Sequence, residues 1–292
     1  MFAGSAVALI TPMDAEGNVD YSALEALVEW HITEGTQAIV AMGTTGESAT
    51  LSEAEHLEVV KQVVKAAAGR VPVLAGNGGS STRGVLALTE KLNALGIDGL
   101  LTATPAYNKP PQAGLIAHYR ALEAISDTPI ILYNVPGRTA VDMTADTVAS
   151  LAELPGIVGI KEATGDLARL ADIRALVGDD FLLLSGDDAT SRAFMLAGGH
   201  GVISVTANVA PGLFAQMCEK ALAGDLAGAE AVDRRIQGLH RALFIESNPI
   251  PAKWALKRLG KIESDMLRLP LLPLSPNGQA AVEAALKQAA LI

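Results

Sequence analysis

The sequence predicts a closed (β/α)₈ barrel followed by additional helices. Short apolar runs recur along the chain, and each is followed by a longer segment whose apolar residues have helical spacing. These runs are continuously apolar rather than alternating, which is typical of parallel strands covered on both faces. The chain has 292 residues, of which 50% are hydrophobic, and this length suits one large α/β-barrel domain with a sizeable core.

The apolar runs predict the strands and the helices between them. In chain order the predicted strands are residues 6–10, 38–42, 71–75, 99–103, 129–135, 158–162, 181–185 and 201–206. The first two helices have clear boundaries. Asp20 is a suitable N-cap for a helix over residues 21–34, and Gly35 ends it. Ser52 and Glu55 have the spacing of a capping box, so the second helix begins after Ser52.

The chain beyond the last predicted strand is too long for a single barrel helix. Ala and Leu dominate segments 212–243, 251–259 and 279–291, which predicts extra helices packed beside the barrel. No segment there is rich enough in Gly or Ser to act as a free linker. We therefore expect a barrel over residues 1–223 and a helical extension over residues 224–292 packed on it.

The composition excludes several classes of partner. The net charge is −10, and the 22 Lys and Arg residues form no run that could follow a phosphate backbone, so we expect no nucleic-acid binding. Cys218 is the only cysteine, which excludes an intramolecular disulfide and fits a reducing compartment. No Lys or Arg precedes Lys61, so we expect no signal peptide, and no apolar run is long enough to span a membrane. We expect a cytoplasmic protein.

A glycine-rich turn follows the second predicted strand. In a (β/α)₈ barrel the active site lies at the carboxyl ends of the strands, so polar residues at those ends are candidates. Residues 43–48 read Gly-Thr-Thr-Gly-Glu-Ser. The glycines let backbone N–H groups approach an anion, and the hydroxyls of Thr44 and Thr45 add further donors. The alternative is an ordinary glycine turn that leads into a helix.

A phenol and a guanidinium mark the end of the fifth strand. Tyr133 lies on the strand, and Arg138 follows shortly after it. The planar fork of an arginine suits a substrate carboxylate. The alternatives are core packing for Tyr133 and a solvated loop charge for Arg138.

The sixth strand contains a lysine within an otherwise apolar run. Lysine is rarely buried without a partner or a function, and a desolvated amine is more easily neutral, which makes it nucleophilic. Lys161 is therefore a candidate to form a Schiff base with a carbonyl substrate. The alternative is a salt bridge to Glu162, but neighbouring residues on a strand point to opposite faces.

The last two strands end in small or acidic residues. Gly186 is followed by Asp187 and Asp188, and Ile203 lies on the eighth strand. Two carboxylates could indicate a divalent cation, but such an ion needs more converging oxygen ligands than the sequence offers. We therefore expect Asp187 and Asp188 to cap helices or to accept hydrogen bonds behind the pocket.

Three further features carry little functional signal. The loop over residues 104–111 presents Tyr107 and by itself could be an ordinary surface loop. The histidines lie mostly in helical segments without the spacing of metal ligands, so we interpret them as structural. Gly76, Gly78 and Gly79 follow a strand but lack the complete dinucleotide fingerprint. We expect neither a metal nor a nicotinamide cofactor.

Four segments together resemble a known family. They are residues 43–47 (Gly-Thr-Thr-Gly-Glu), 133–139 (Tyr-Asn-Val-Pro-Gly-Arg-Thr), 159–164 (Gly-Ile-Lys-Glu-Ala-Thr) and 186–188 (Gly-Asp-Asp). In this order they closely resemble the family of 4-hydroxy-tetrahydrodipicolinate synthases, long called dihydrodipicolinate synthases, of the class I pyruvate-dependent aldolase superfamily. The resemblance extends over essentially the whole chain.

This resemblance implies a Schiff-base condensation of pyruvate with L-aspartate 4-semialdehyde that yields 4-hydroxy-tetrahydrodipicolinate. Lys161 is then the nucleophile that attacks the ketone of pyruvate, and the resulting enamine adds to the aldehyde. Tyr133 transfers protons and is linked through Thr44 to Tyr107, which in this family comes from a neighbouring subunit. The resemblance therefore implies that a complete active site requires a dimer.

The resemblance also implies the substrate contacts. Thr45 holds the carboxylate of pyruvate, Arg138 binds the carboxylate of the semialdehyde, and Gly186 and the backbone of Ile203 shape the pocket. The lysine itself serves as the electron sink, so no metal or organic cofactor is expected. The family usually forms a homotetramer, built as a dimer of tight dimers, and acts in the cytosolic route to diaminopimelate and lysine.

Feedback-sensitive members of the family bind lysine at the tight-dimer interface. The corresponding positions here include Ser48, Ala49, His56 and Ser80. Of the family's polar residues, the chain retains Ser48 and His56. It departs from the family pattern with Glu53 in place of histidine, Ser80 in place of asparagine, Gly84 in place of glutamate and Ala106 in place of tyrosine. The loss of an anionic partner and of an aromatic wall for the ligand predicts weak or absent inhibition by lysine.

Two other functions are compatible with part of the pattern. An N-acetylneuraminate lyase or a keto-deoxy sugar acid aldolase would share Lys161 and Tyr133, but such enzymes usually have other residues at the position of Arg138. A non-catalytic ligand sensor on the same barrel would be expected to have lost the nucleophile or its relay. Because both are present in the sequence, the synthase remains the predicted function.

Overall fold

The computed structural model describes residues 2–292, in which eight parallel strands close into a barrel in chain order. The strands are β1 (Gly4–Ala8), β2 (Ala38–Ala41), β3 (Val73–Gly76), β4 (Gly99–Ala103), β5 (Ile130–Asn134), β6 (Ile157–Glu162), β7 (Leu182–Ser185) and β8 (Gly201–Ser204). The barrel closes where β8 pairs with β1, with Val202 opposite Ser5. The predicted fold class and its strands are confirmed, and strand ends differ from the prediction by at most two residues.

The first strand shows why the predicted ends are shifted. It begins at Gly4 rather than at residue 6, because the N–H of Gly4 donates to the carbonyl of His200 at 2.8 Å. Ile10 lies beyond the strand, since its N–H donates to the side-chain Oδ1 of Asn208 at 3.0 Å. Ile10 is nevertheless buried. An apolar run therefore marks burial, whereas hydrogen bonding decides where pairing begins and ends.

Each strand is followed by one or more helices. They are α1 (Tyr21–Thr33), α2 (Glu53–Ala67), α3 (Thr82–Asn93), α4 (Gln112–Glu123), α5 (Pro136–Thr139), α6 (Ala145–Ala152), α7 (Leu167–Arg174), α8 (Ser191–Leu196) and α9 (Pro211–Leu222). The predicted N-termini are confirmed. The side chain of Asp20 accepts from the N–H of Ala23 at 2.9 Å, and Ser52 and Glu55 form a complete capping box. Helix α1 ends one residue earlier than predicted, with Glu34 as its C-cap.

The strands separate two hydrophobic cores. The inner core fills the barrel and consists of Phe2, Ala6, Ala8, Ala38, Val40, Leu74, Leu101, Ile131, Tyr133, Leu184 and Ile203. A larger outer core lies between the strands and the surrounding helices. Because successive side chains of a strand point to opposite faces, β6 directs Ile160 into the outer core and Lys161 to the barrel interior, beside Tyr133.

Three helices follow the barrel. They are α10 (Leu226–Ala242), α11 (Ile250–Arg258) and α12 (Pro276–Gln288). Segment 212–243, predicted to be helical, contains two helices, α9 and α10, which are separated because Gly224 adopts a φ of +75° and Asp225 caps the first turn of α10. The segment between α11 and α12 returns to the barrel, where Arg268 donates to the carbonyl of Gly17. No helix within residues 2–292 is long and apolar enough to cross a membrane.

Candidate active site

Lys161 and Tyr133 lie side by side at the carboxyl end of the barrel. They are paired positions on β6 and β5, and Nζ of Lys161 lies 4.3 Å from the centroid of the Tyr133 ring. The two residues are only 5% and 8% exposed. A cavity of about 610 Å³ opens next to them, with Tyr133, Thr44 and Arg138 in its wall. The strand ladder therefore holds an amine and a phenol together at the edge of a cavity.

Glu162, the residue after Lys161, points to the outside of the barrel. Its carboxylate accepts from Nε of Arg169 and from the side-chain amide of Asn134, both at 3.0 Å. It also accepts from the N–H of Thr164 at 2.8 Å. The carboxylate is satisfied without the lysine, and within residues 2–292 Lys161 forms no ion pair. The salt-bridge alternative for Lys161 is therefore wrong, and its amine is left beside Tyr133.

Gly186 leaves space for the Lys161 side chain. A Cβ atom at Gly186 would lie 2.9 Å from Cε of Lys161 and 2.5 Å from Cβ of Ala163. The N–H of Gly186 donates to the carbonyl of Glu162 at 2.7 Å, which holds the backbone in this position. A glycine is therefore required here for space.

The Thr44–Thr45 turn follows β2 and reaches the same cavity through Thr44. A hydrogen bond from the N–H of Glu47 to the carbonyl of Thr44, at 3.1 Å, closes the turn. Thr45 is buried, and its Oγ1 accepts from Nδ2 of Asn248 at 2.9 Å. A hydroxyl has one proton and two lone pairs. Thr45 can therefore still donate to an anion while Asn248 orients it.

Arg138 lies on the short helix α5, directly after β5, and its side chain reaches the cavity wall. Its Nη2 donates to the backbone carbonyl of Asn248 at 3.3 Å. A guanidinium has five N–H donors, so this contact leaves others free for a carboxylate. Arg138 is exposed, as the loop-charge alternative predicted, but it is also tethered at the cavity.

Of two further predicted site residues, Tyr107 lies apart from this cluster and Ile203 lies in the inner core with Tyr133. Tyr107 is 93% exposed, and its backbone has a φ of +75°, which is uncommon for a residue with a side chain. A single chain therefore does not bring Tyr107 to Tyr133. Ile203, in contrast, is buried in the inner core on β8, paired with Ala6 of β1.

The two aspartates after β7 accept hydrogen bonds, as the sequence predicts. Oδ2 of Asp187 accepts from the N–H of Thr190 at 3.0 Å and from its hydroxyl at 2.8 Å. Oδ2 of Asp188 accepts from the N–H groups of Val205 and Thr206 at 3.1 and 2.7 Å. They hold the loops after β7 and β8. In the described part of the chain, no three His, Cys, Asp or Glu side chains are grouped so that they could hold a metal ion.

The positions at which the family resemblance implies a lysine site border the same cavity. Its wall includes Ser48, Ala49, His56 and Ser80, together with Glu53, Gly84 and Ala106. Burial lowers the pKa of His56 below its ordinary value. The carboxylate of Glu53 pairs with the ammonium of Lys91. The cavity thus has a region beside Tyr133 and a second region in which the chain departs from the family pattern.

Sequence reasoning missed two residues of the C-terminal extension that contact the turn. Asn248 orients Thr45 and accepts from Arg138, and Lys253 forms a fully buried ion pair with Glu47. The sequence signal for Lys253 was weak, because it is one of three basic residues in segment 251–259, which reads Pro-Ala-Lys-Trp-Ala-Leu-Lys-Arg-Leu. Which of the three is buried does not follow from the sequence.

Comparison with known proteins adds an independent observation. The model of the dihydrodipicolinate synthetase family matches residues 1–289. A 4-hydroxy-tetrahydrodipicolinate synthase from Laribacter hongkongensis is 56% identical over 292 residues, which cover 100% of both chains.

Solved structures are similar over the same extent. The chloride-inhibited dihydrodipicolinate synthase from Acinetobacter baumannii, complexed with pyruvate, is 49% identical with a TM-score of 0.97 and 100% coverage of both chains. The enzyme from Cyanidioschyzon merolae with lysine bound is 41% identical with a TM-score of 0.96, covering 100% of this chain and 99% of that one. The similarity therefore includes both the barrel and the helices that follow it.

Proposed function

The chain belongs to the dihydrodipicolinate synthetase family, and on that premise we propose how its residues carry out the reaction. It is a lyase with the 4-hydroxy-tetrahydrodipicolinate synthase activity of diaminopimelate and lysine biosynthesis. The observation that supports the proposal most directly is the buried amine of Lys161, 4.3 Å from the centroid of the Tyr133 ring. A Schiff-base enzyme needs a nucleophilic amine, a group that transfers protons and a cavity for the substrate, and an unpaired amine beside a phenol and a cavity meets these requirements.

Lys161 is the nucleophile. Its neutral amine attacks the ketone carbon of pyruvate, and loss of water from the carbinolamine gives an imine. Removal of a proton from the methyl carbon converts the imine to an enamine, and this carbon attacks the aldehyde of L-aspartate 4-semialdehyde. Attack of the substrate's own amino group on the imine carbon then closes the ring and releases Lys161. No step requires a metal or an organic cofactor.

Tyr133 carries the protons for these steps. Its ring lies beside the amine, which supports assigning to its phenol the protonation of the carbinolamine oxygen that leaves as water. Thr44, in the wall of the same cavity, links Tyr133 to Tyr107 of a neighbouring subunit. The exposure of Tyr107 in the single chain supports this arrangement, because a side chain that is 93% exposed is free to enter another subunit. We infer a homodimer as the catalytic unit, and a dimer of such dimers as the complete assembly.

The substrate carboxylates have separate partners. Thr45 donates its hydroxyl proton to the carboxylate of pyruvate, and Asn248 keeps that hydroxyl in orientation. Arg138, in the cavity wall, pairs with the carboxylate of the semialdehyde. Gly186 leaves space for the lysine and the imine, and the backbone of Ile203 closes the pocket.

Lysine is at most a weak inhibitor under this proposal. The cavity region bordered by Ser48, Ala49, His56 and Ser80 has no glutamate at Gly84 and no tyrosine at Ala106. The carboxylate of Glu53 in the same wall is already paired with Lys91. The ammonium group of bound lysine would therefore leave water without an anionic partner of its own, which is unfavourable.

Borohydride trapping tests the nucleophile. Pyruvate with borohydride should give a stable secondary amine at Lys161, located by peptide mass mapping, and Lys161→Ala should give none. Lys220→Ala is the control, because Lys220 is an exposed lysine paired with Asp225. Trapping at normal yield in Lys161→Ala would mean that the nucleophile is another residue.

Tyr133→Phe tests the proton carrier. It should lower turnover roughly 10²- to 10⁴-fold, the range for a general acid–base group, and near-normal turnover would exclude Tyr133 from that role.

A competition between acceptors tests the substrate. The initial rate of condensation with pyruvate should be high for L-aspartate 4-semialdehyde and negligible for N-acetylmannosamine. A preference for the sugar would retain Lys161 and Tyr133 in their roles but would remove the role given to Arg138.

A further inference from the structure

A buried ion pair joins the C-terminal extension to the Thr44–Thr45 turn. Lys253 on α11 and Glu47 after the turn have fully buried side chains, and Nζ lies 2.7 Å from Oε1. The second carboxylate oxygen of Glu47 accepts from the backbone N–H of Arg268 at 3.3 Å. Both of these partners of Glu47 therefore come from the extension.

Stability alone does not account for this pair. The free energy needed to remove two charges from water offsets much of their attraction. A protein with apolar side chains of similar size in place of such a pair is often equally stable. Burial lowers the pKa of Lys253 below its ordinary value, while the charge of Glu47 acts in the opposite direction. The pair does fix the position of Glu47, and so of the turn, relative to α11.

The backbone of the turn needs such a constraint. Met42 and Glu47, which flank the turn, have φ values of +55° and +58°. A left-handed backbone is unfavourable for residues with a side chain and persists only where the surroundings hold it. Thr44 and Thr45 lie between these two strained positions. Their placement therefore depends on groups outside the turn.

The extension also contacts the turn at two further points. Asn248 donates to Oγ1 of Thr45 at 2.9 Å, and the guanidinium of Arg268 donates to the carbonyl of Thr50 at 3.1 Å. Together with the ion pair to Glu47, these contacts hold the segment from Thr45 to Thr50 against the extension.

We propose that Lys253 is a positioning residue for pyruvate, which acts through Glu47 to hold the turn in the conformation in which Thr45 binds the carboxylate. The inference rests on the role of Thr45 proposed above. Lys253 does not touch the substrate, because its ammonium is buried against Glu47. The extension is then part of the active site, since the turn reaches its binding conformation only when α11 is in place.

Borohydride trapping over a range of pyruvate concentrations separates binding from chemistry. Lys253→Met keeps the side-chain length and removes the charge. It should raise the half-saturating pyruvate concentration about tenfold to hundredfold, with the yield at saturation retained. Lys257→Met is the matched control, because Lys257 lies one turn further along α11 in a 2.7 Å ion pair with Asp265 that is partly exposed. It should trap pyruvate like the unaltered chain.

A second variant covers the case in which Lys253→Met does not fold because Glu47 is left buried and unpaired. The double variant Glu47→Met/Lys253→Met replaces the pair by apolar side chains, so it should fold while showing the same rise in half-saturating concentration. Asn248→Ala removes only the contact to Thr45 and should change the concentration in the same direction.

Three outcomes would overturn the proposal. The first is a folded double variant whose half-saturating pyruvate concentration is unchanged. The second is a variant in which only the trapping yield at saturating pyruvate falls. The third is failure of the double variant to fold, which would make the pair a requirement of the fold itself. The proposed function fails separately, if Lys161→Ala still traps pyruvate. If Lys161→Ala loses trapping while the double variant binds pyruvate normally, only the positioning role of Lys253 is overturned.

Discussion

Nζ of Lys161 lies 4.3 Å from the centroid of the Tyr133 ring, across the pairing of β6 with β5. The two groups proposed to react are therefore held by the strand ladder, whereas the groups proposed to bind the substrates lie beyond the strand ends. Thr44, Thr45 and Arg138 all follow strand ends. In this fold the strands thus place the pair proposed for the chemistry, and the segments after the strand ends place the groups proposed for the ligands.

Gly186→Ala should disable Schiff-base formation without unfolding the chain. The added methyl group would lie 2.9 Å from Cε of Lys161 and 2.5 Å from Cβ of Ala163, so the lysine must move away. We expect turnover to fall about hundredfold or more, the effect of misplacing a reacting group by roughly 1 Å. Gly178→Ala is the control, because nothing lies within 4 Å of a Cβ at that position. Full turnover in Gly186→Ala would show that the lysine does not need this space.

Tyr107 should act on the active site of the neighbouring subunit. Lys161→Ala and Tyr107→Phe are each expected to be inactive or nearly so, but coexpression should restore activity. A hybrid dimer has one site with both defects and one site with neither, so random assortment should restore about a quarter of the normal activity. The measurement is the turnover of the coexpressed mixture relative to the unaltered protein. An inactive mixture of hybrids would place Tyr107 in its own chain's site or outside the reaction.

Arg138→Ala should affect the semialdehyde more than pyruvate. Only the semialdehyde carboxylate is assigned to this guanidinium, and loss of a charge-assisted hydrogen bond to a carboxylate is expected to raise its KM about tenfold to hundredfold. The half-saturating pyruvate concentration in borohydride trapping should stay within about threefold of normal. An equal effect on both substrates would instead indicate a structural role, through the contact of Arg138 with the carbonyl of Asn248.

Lysine should inhibit only well above millimolar concentration, and Gly84→Glu should increase the inhibition. A Cβ at Gly84 has Cβ of Ser81 as its nearest neighbour, at 3.8 Å, so a larger side chain can be placed there. The new carboxylate would supply the missing partner for the ligand's ammonium, worth roughly tenfold in affinity. Gly84→Ala is the control for size without charge. Half-inhibition of the unaltered protein well below millimolar lysine would contradict the prediction.

Glu55→Gln should alter the acid stability of the protein. The hydrogen bond from Arg268, assisted by Ser52, lowers the pKa of Glu55 to about 2 from 4.5. The resulting stabilisation is complete above the unfolded pKa and is lost as the pH falls toward about 2. Because the pair is partly solvent-exposed, we expect a contribution of about 2 kcal/mol at neutral pH.

The measurement for Glu55→Gln is denaturant unfolding of both proteins between about pH 7 and pH 3. The difference in unfolding free energy should be largest at the upper limit and should shrink on acidification. A difference that does not change with pH would mean that Gln disrupts packing at the capping box rather than removing a charge.

Much of this protein follows from local sequence. Continuous apolar runs predict the parallel strands, and a lysine inside such a run identifies Lys161 as a candidate nucleophile. The register between β5 and β6 then places Tyr133 beside it, as parallel strand ends in a barrel require. These features depend on residues that are close in the chain or on the regular geometry of strands. They can therefore be predicted from the order of apolar and polar residues in the sequence.

The contacts made by the extension were decided only by the tertiary structure. Asn248 contacts Thr45 from 203 residues away, and Lys253 contacts Glu47 from 206 residues away. Periodicity shows which face of a helix is buried, but it does not show which distant turn covers that face. The exposure of Tyr107 has the same origin. The local sequence around an aromatic residue in a loop is the same whether the side chain packs within its own chain or projects from it. The difference depends on which surface the side chain contacts, and not on its neighbours along the chain.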